Sequence, residues 1–95
     1  MKASFVYMMA NRKNGAIYTG VSSDLVGRVY AHREGLIQGF TKRYGCNLLV
    51  WFEQHVAMES ALSREKAMKK WNRAWKVELI EQSNPYWRDL YPELI

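Results

Sequence analysis

An α+β fold, a small three-stranded antiparallel sheet flanked by helices, is what the sequence predicts, and three observations predict it. Ser4 to Ala10 and Ala16 to Val21 read as two strands joined through Asn14-Gly15. Asn47 to Glu53 is a nearly continuous apolar run of strand length. Two stretches have helical signals, one opening at Ser22-Ser23-Asp24 and one running from Ala57 to about Glu81. The 95 residues fit one compact domain, 1–95, with material for one core.

The first strand alternates, with Phe5, Tyr7 and Met9 on one face and Val6 and Met8 on the other, as a half-buried strand does. Asn14-Gly15 is a strong turn signal because both residues tolerate positive φ. Ala16 to Val21 is then the return strand, which brings Tyr7 and Tyr18 near each other on neighbouring strands.

A hydroxyl cap followed by Asp24 in the first turn starts the first helix, which runs to about Glu34 and stops at Gly35. Leu25, Val26, Val29 and Tyr30 form its apolar face. Arg28 and His32, four residues apart, share a flank beside it. Leu36 to Gly45 reads as loop, in which Lys42 and Arg43 stand between Phe40 and Tyr44, a combination suited to stacking on bases and touching phosphates. The apolar run at Asn47 to Glu53 is expected to be buried, as the central or last strand of the sheet.

In the final long helix, which has room for a break, Ala61, Met68, Trp71 and Trp75 share a core face on a helical wheel. Lys66, Lys69, Arg73 and Lys76 share another, with Leu62. Glu65 stands at the border, and Lys69 falls a turn away from it on the solvated side. The wheel leaves Arg64 on the apolar side without a partner. Pro85 and the aromatic residues Tyr86, Trp87 and Tyr91 are expected to fold back on the domain.

Composition narrows the function. No run of 18 or more apolar residues is present, so no membrane-spanning segment is expected. Met1-Lys2-Ala3-Ser4 leads into a strand without a secretory hydrophobic region, and the lone Cys46 permits no internal disulfide. Both fit a cytoplasmic protein. One cysteine and two histidines cannot close a structural zinc site. The net charge of +5 is modest, but six basic residues fall between Arg64 and Lys76 with Glu65 as the one acid among them. Such clustering is the footprint of a polyanion surface.

Taken singly, Tyr7, Tyr18, Arg28, His32 and Glu65 have ordinary roles: packing tyrosines, surface ion pairs, a core or exposed imidazole. Together a phenol, a guanidinium, an imidazole and a carboxylate are what metal-assisted phosphodiester cleavage uses. Their order also resembles the GIY-YIG nuclease superfamily. Phe5-Val6-Tyr7 looks like its first motif with the glycine replaced, and Tyr18-Thr19-Gly20 like its second with threonine for isoleucine. Arg28 and His32 follow Tyr18 by ten and fourteen residues, as in that superfamily's first helix. The resemblance runs from Phe5 to about Asn84 and is nearest to small standalone bacterial members that end in a basic Trp-rich helix and an Asn-Pro-x-Trp segment, here Asn84 to Trp87.

The resemblance implies a metal-dependent endonuclease acting on DNA, of repair or recombination type, slow or selective for structure. Glu65 would hold Mg²⁺ or Mn²⁺, a hard ion that one carboxylate, waters and a substrate phosphate can satisfy. Arg28 would grip the scissile phosphate, and one tyrosine with His32 would position or deprotonate water. Lys42, Arg43, Lys66, Lys69, Arg73 and Lys76 are the candidate nucleic-acid contacts. Two positions depart from the pattern. Val21 stands where many members have lysine, and Val77 stands where many have asparagine. Asn72 and Asn84 are the nearest substitutes, with Asn84 preferred as a supporting residue. The alternatives are a non-catalytic nucleic-acid-binding module on the same fold and a small protein-interaction domain.

Overall fold

The computed structural model describes residues 3–95; Met1 and Lys2, part of the short lead into the first strand, lie outside them. Strands β1 (Ser4–Ala10), β2 (Ile17–Ser22) and β3 (Leu48–His55) form an antiparallel sheet in the order β2-β1-β3. The helices are α1 (Leu25–Arg33), α2 (Phe40–Tyr44), α3 (Met58–Lys69) and α4 (Arg73–Ser83), followed by a 3-10 turn at Tyr91–Glu93. This is the α+β class expected.

β1 is central rather than half-buried. Val6, Met8 and Ala10 enter one core with Val50, Trp51, Ala61, Met68, Ile80 and Trp87. Tyr7 and Met9 enter another, on the opposite face, with Leu25, Val29, Cys46, Leu49 and Leu90. A strand with one wet face alternates apolar with polar, and β1 is apolar at both parities. β3 takes the last position, where its outer edge is covered. Leu49 N–H donates to Asp89 Oδ1 at 3.1 Å, and Leu90 N–H donates to Leu49 O at 2.7 Å. Opposite β1 the register passes from Met8↔Trp51 to Met9↔Leu49, leaving Val50 as a bulge, and Asn84 Nδ2 donates to the Val50 carbonyl at 3.1 Å.

The hairpin turn uses Asn14 at φ 60°, in keeping with its Asn-Gly signal. The cap of α1 is the Asp24 carboxylate, which accepts from Gly27 N–H at 3.1 Å, while Ser22 Oγ accepts from Asp24 N–H at 2.9 Å. Leu25, Val29 and His32 make its buried stripe, and Val26 and Tyr30 point outward.

Residues 36–45 hold a short helix rather than only loop. Gly39 at φ 116° and Gly45 at φ 65° bound α2, so the glycines that suggested a loop are its two ends. The long C-terminal helix is broken at Lys70 to Asn72, where Asn72 Oδ1 accepts from Trp75 N–H at 3.0 Å and starts α4. A single wheel therefore misplaces the residues beyond the break. Ala61 and Met68 are buried and Trp71 is half-buried, but Trp75 is 57 % exposed. Arg73 and Lys76 belong to α4 and do not extend the row of Lys66 and Lys69. Trp87 folds back into the core, as does Tyr91 in part, but Tyr86 is 80 % exposed.

Candidate active site

The hairpin register sets Tyr7 opposite Gly20 and Met9 opposite Tyr18, so the two tyrosines lie diagonally on one face with ring centroids 6.2 Å apart. Gly20 makes this possible. A Cβ there would lie 2.6 Å from Tyr7 Oη, 2.7 Å from its Cζ and 2.8 Å from Tyr18 Cε2. The glycine of Tyr18-Thr19-Gly20 is thus the floor on which two phenol rings rest.

Below them α1 supplies His32. Tyr7 Oη and His32 Nε2 are hydrogen-bonded at 2.8 Å, and His32 Nδ1 and Thr41 Oγ1 at 2.8 Å. All three residues are buried. Burial, with Arg28 second, lowers the His32 pKa to about 4. The imidazole is therefore neutral near pH 7, with one ring nitrogen donating and the other accepting. Burial first, and then the neighbouring Tyr18 phenol, raise the Tyr7 pKa well above its ordinary value, against a partial opposing pull from Arg28. Tyr7 keeps its proton.

Toward solvent the cluster opens through Tyr18, which is half-buried. Its ring lies 5.2 Å from that of His32 and is stacked with Phe40 at 6.3 Å. Phe40 continues to Tyr44 at 4.7 Å, and the Arg43 guanidinium lies 5.4 Å from the Tyr44 ring. On the other side the Lys69 ammonium is 6.0 Å from the Tyr18 ring centre and 3.0 Å from Glu65 Oε2. Lys69 is therefore Glu65's ion-pair partner, not a residue set apart from it. The two positions are i and i+4, and the helix turn brings them together. Arg28 is exposed on α1 and lines a shallow depression with Ser22, Asp24, Gly27 and Ala31. Both Arg28 and Glu65 act electrostatically on Tyr7.

Tyr7, Tyr18 and His32 are thus in mutual contact, with Arg28 and Glu65 at the rim. Among the described residues no three His, Cys, Asp or Glu side chains converge as a metal cage. Glu65 nevertheless fits a cation. It is a carboxylate only 17 % exposed, and a cationic ammonium already stands at it. A hard divalent ion that keeps most of its waters needs little more.

The remaining candidates scatter. Lys42 and Arg43 ride on the outer side of α2, and Lys66 is exposed beside Glu65. Arg73 donates to Gly15 O at 2.6 Å. Asn84 is buried at the far edge of the sheet. Its Nδ2 donates to Val50 O and to Arg88 O at 2.9 Å, and its Oδ1 accepts from Arg88 N–H at 3.1 Å. Val21 and Val77 both pack on the core of the opposite face. Sequence reasoning missed Thr41 and the Glu65–Lys69 pairing. Thr41 gave no periodic signal, whereas the i, i+4 spacing of an acid and a lysine was available.

Known proteins resemble this chain in sequence and in fold. A family model described as the GIY-YIG catalytic domain matches residues 3–78. A UPF0213 protein of Staphylococcus epidermidis is 32 % identical over 82 residues, covering 86 % of this chain and 99 % of the relative. One from Staphylococcus aureus is 33 % identical with the same coverage. The solution NMR structure of a UPF0213 protein from Bacillus halodurans has a TM-score of 0.52 and 28 % identity, covering 84 % of each chain.

Proposed function

The chain belongs to the GIY-YIG family, a nuclease superfamily, and on that premise we propose that it is a divalent-metal-dependent endonuclease acting on DNA. The observation that carries this reading is the buried chain Tyr7–His32–Thr41 opening onto the half-buried Tyr18, with Arg28 and Glu65 at the mouth.

Hydrolysis of a phosphodiester needs an oriented water, stabilisation of negative charge and help for the leaving oxygen. Tyr7 stays protonated and neutral His32 is its hydrogen-bond partner, so this pair positions rather than titrates. Tyr18 is the phenol that reaches solvent. It orients the attacking water, and to take up the water's proton it first gives its own phenolic proton to solvent. Arg28 meets the scissile phosphate with a rigid two-pronged guanidinium that an ammonium cannot copy. Glu65 would hold Mg²⁺ or Mn²⁺, which supplies charge neutralisation at the phosphate when bound. Lys42, Arg43, Lys66, Lys69, Arg73 and Lys76 contribute phosphate contacts, and the exposed Phe40 and Tyr44 rings offer a face to an unpaired base.

A panel of branched, nicked and single-stranded DNAs incubated with and without Mn²⁺ tests the reading. Cutting that needs the metal and disappears in Glu65→Ala is the expected result. Binding without cutting on every substrate would leave the non-catalytic module as the better account.

A further inference from the structure

Glu65 and Lys69 differ in how they meet water. The carboxylate is 17 % exposed and the lysine side chain 51 %, so Lys69 reaches in from solvent to an acid held in a drier place. A partly desolvated carboxylate calls for a positive partner, and among the described residues Lys69 is the ion-pair partner it has. The ammonium is a compact, strongly hydrated charge on a flexible stem, which makes it a partner that can leave.

On the reading that Glu65 holds a divalent cation, which this inference rests on, we propose that Lys69 is a positioning residue that occupies the cation's place at Glu65. It keeps the carboxylate aimed at the Tyr18 side and resists a divalent ion until a phosphate draws the ammonium away. Two positive charges competing for one carboxylate at about 3 Å oppose each other strongly. A phosphate, by contrast, attracts the ammonium. Nucleic acid and metal therefore favour each other's binding through Lys69, each by the same factor.

The test is Mn²⁺ binding to the full chain without nucleic acid, by calorimetry and by loss of the free-ion electron paramagnetic resonance signal. Lys69→Met keeps the aliphatic stem and should bind Mn²⁺ roughly threefold to tenfold more tightly than the parent, the scale of losing one nearby surface cation. Lys69→Arg, whose fork holds a carboxylate more firmly, should bind Mn²⁺ no more tightly than the parent. Adding Glu65→Gln to Lys69→Met should remove the gain. If Lys69→Met binds no tighter while Glu65→Gln abolishes binding, the placeholder role is overturned and the metal role of Glu65 stands. If Glu65→Gln binds like the parent, or no variant binds, the metal reading fails and this inference with it.

Discussion

The chain has two histidines, and each sits with a hydroxyl and near an arginine. Around His55 the set is closed. Its Nε2 meets Glu53 Oε1 at 2.8 Å and its Nδ1 meets Ser60 Oγ at 3.0 Å. Arg64 adds Nε at 3.1 Å and a second prong to the same carboxylate, and its guanidinium lies over Trp71 at 5.2 Å. This accounts for Arg64 on the apolar side of its helix: it fastens α3 to β3. Around His32 the contacts are neutral, Tyr7 and Thr41, and the charges stand outside them. Among the described residues no carboxylate pairs with Arg28. Similar side chains thus make a fastener in one place and a mouth with unanswered charge in the other. The two places differ in whether the arginine meets a carboxylate.

The largest expected effect breaks the symmetry between the two glutamates. Glu65→Ala should lower metal-dependent cleavage roughly a hundredfold or more, with nucleic-acid binding within a few-fold, while Glu53→Ala should cleave near the parental rate below its melting temperature. Initial rates and a gel-shift titration on both variants decide it. An equal loss from a folded Glu53→Ala would dissolve the distinction. Arg28→Lys should come second with a loss of roughly tenfold or more at unchanged affinity, because charge survives and the fork does not.

Next comes pH. The folded His32 pKa of about 4 lies below the ordinary 6.5, so between those values the unfolded chain takes up a proton that the folded chain refuses. Stability is complete above about pH 6.5 and should fall by up to roughly 2–3 kcal/mol on acidification toward pH 4. Denaturant titrations across that window should show the slope in the parent and in His55→Asn but not in His32→Asn. A slope that persists without His32 must come from another group.

Smaller effects belong to the fastener. Arg64→Ala should cost about 1–2 kcal/mol through the lost fork and the lost cover on Trp71, with cleavage kept, as thermal melts and rates can check. Smallest is Thr19→Val. The Thr19 hydroxyl is buried with no partner among the described residues. Replacing it with a methyl of similar shape should raise stability by about 0.5–1 kcal/mol in a denaturant titration. A loss would show that the hydroxyl is in fact satisfied.

Local signals in the sequence carried much of this. Asn14-Gly15 marked the hairpin, the run Asn47 to Glu53 marked a strand, and the order of Tyr18, Arg28 and His32 marked the site. Relations across the chain were less visible. That Tyr7 rests over Gly20 depends on a register no composition encodes. The break at Asn72 turned on one capping side chain, and it moved Trp75, Arg73 and Lys76 off the faces a continuous helix would give them. Thr41 reached His32 only because α2 formed between two glycines, and five residues carry too little periodicity to announce a helix.

The covered edge of β3 bears on how this module could be moved between proteins. The family match ends at residue 78, yet Asn84, Asp89 and Leu90 bind the outer side of Leu49 and Val50, and Trp87 and Leu90 fill the two cores. A fusion cut at the end of the family likeness would bare a strand edge, the template on which copies of a chain join into aggregates. The portable unit is therefore wider than the recognisable one, and a graft meant to stay soluble has to carry the segment through Leu94.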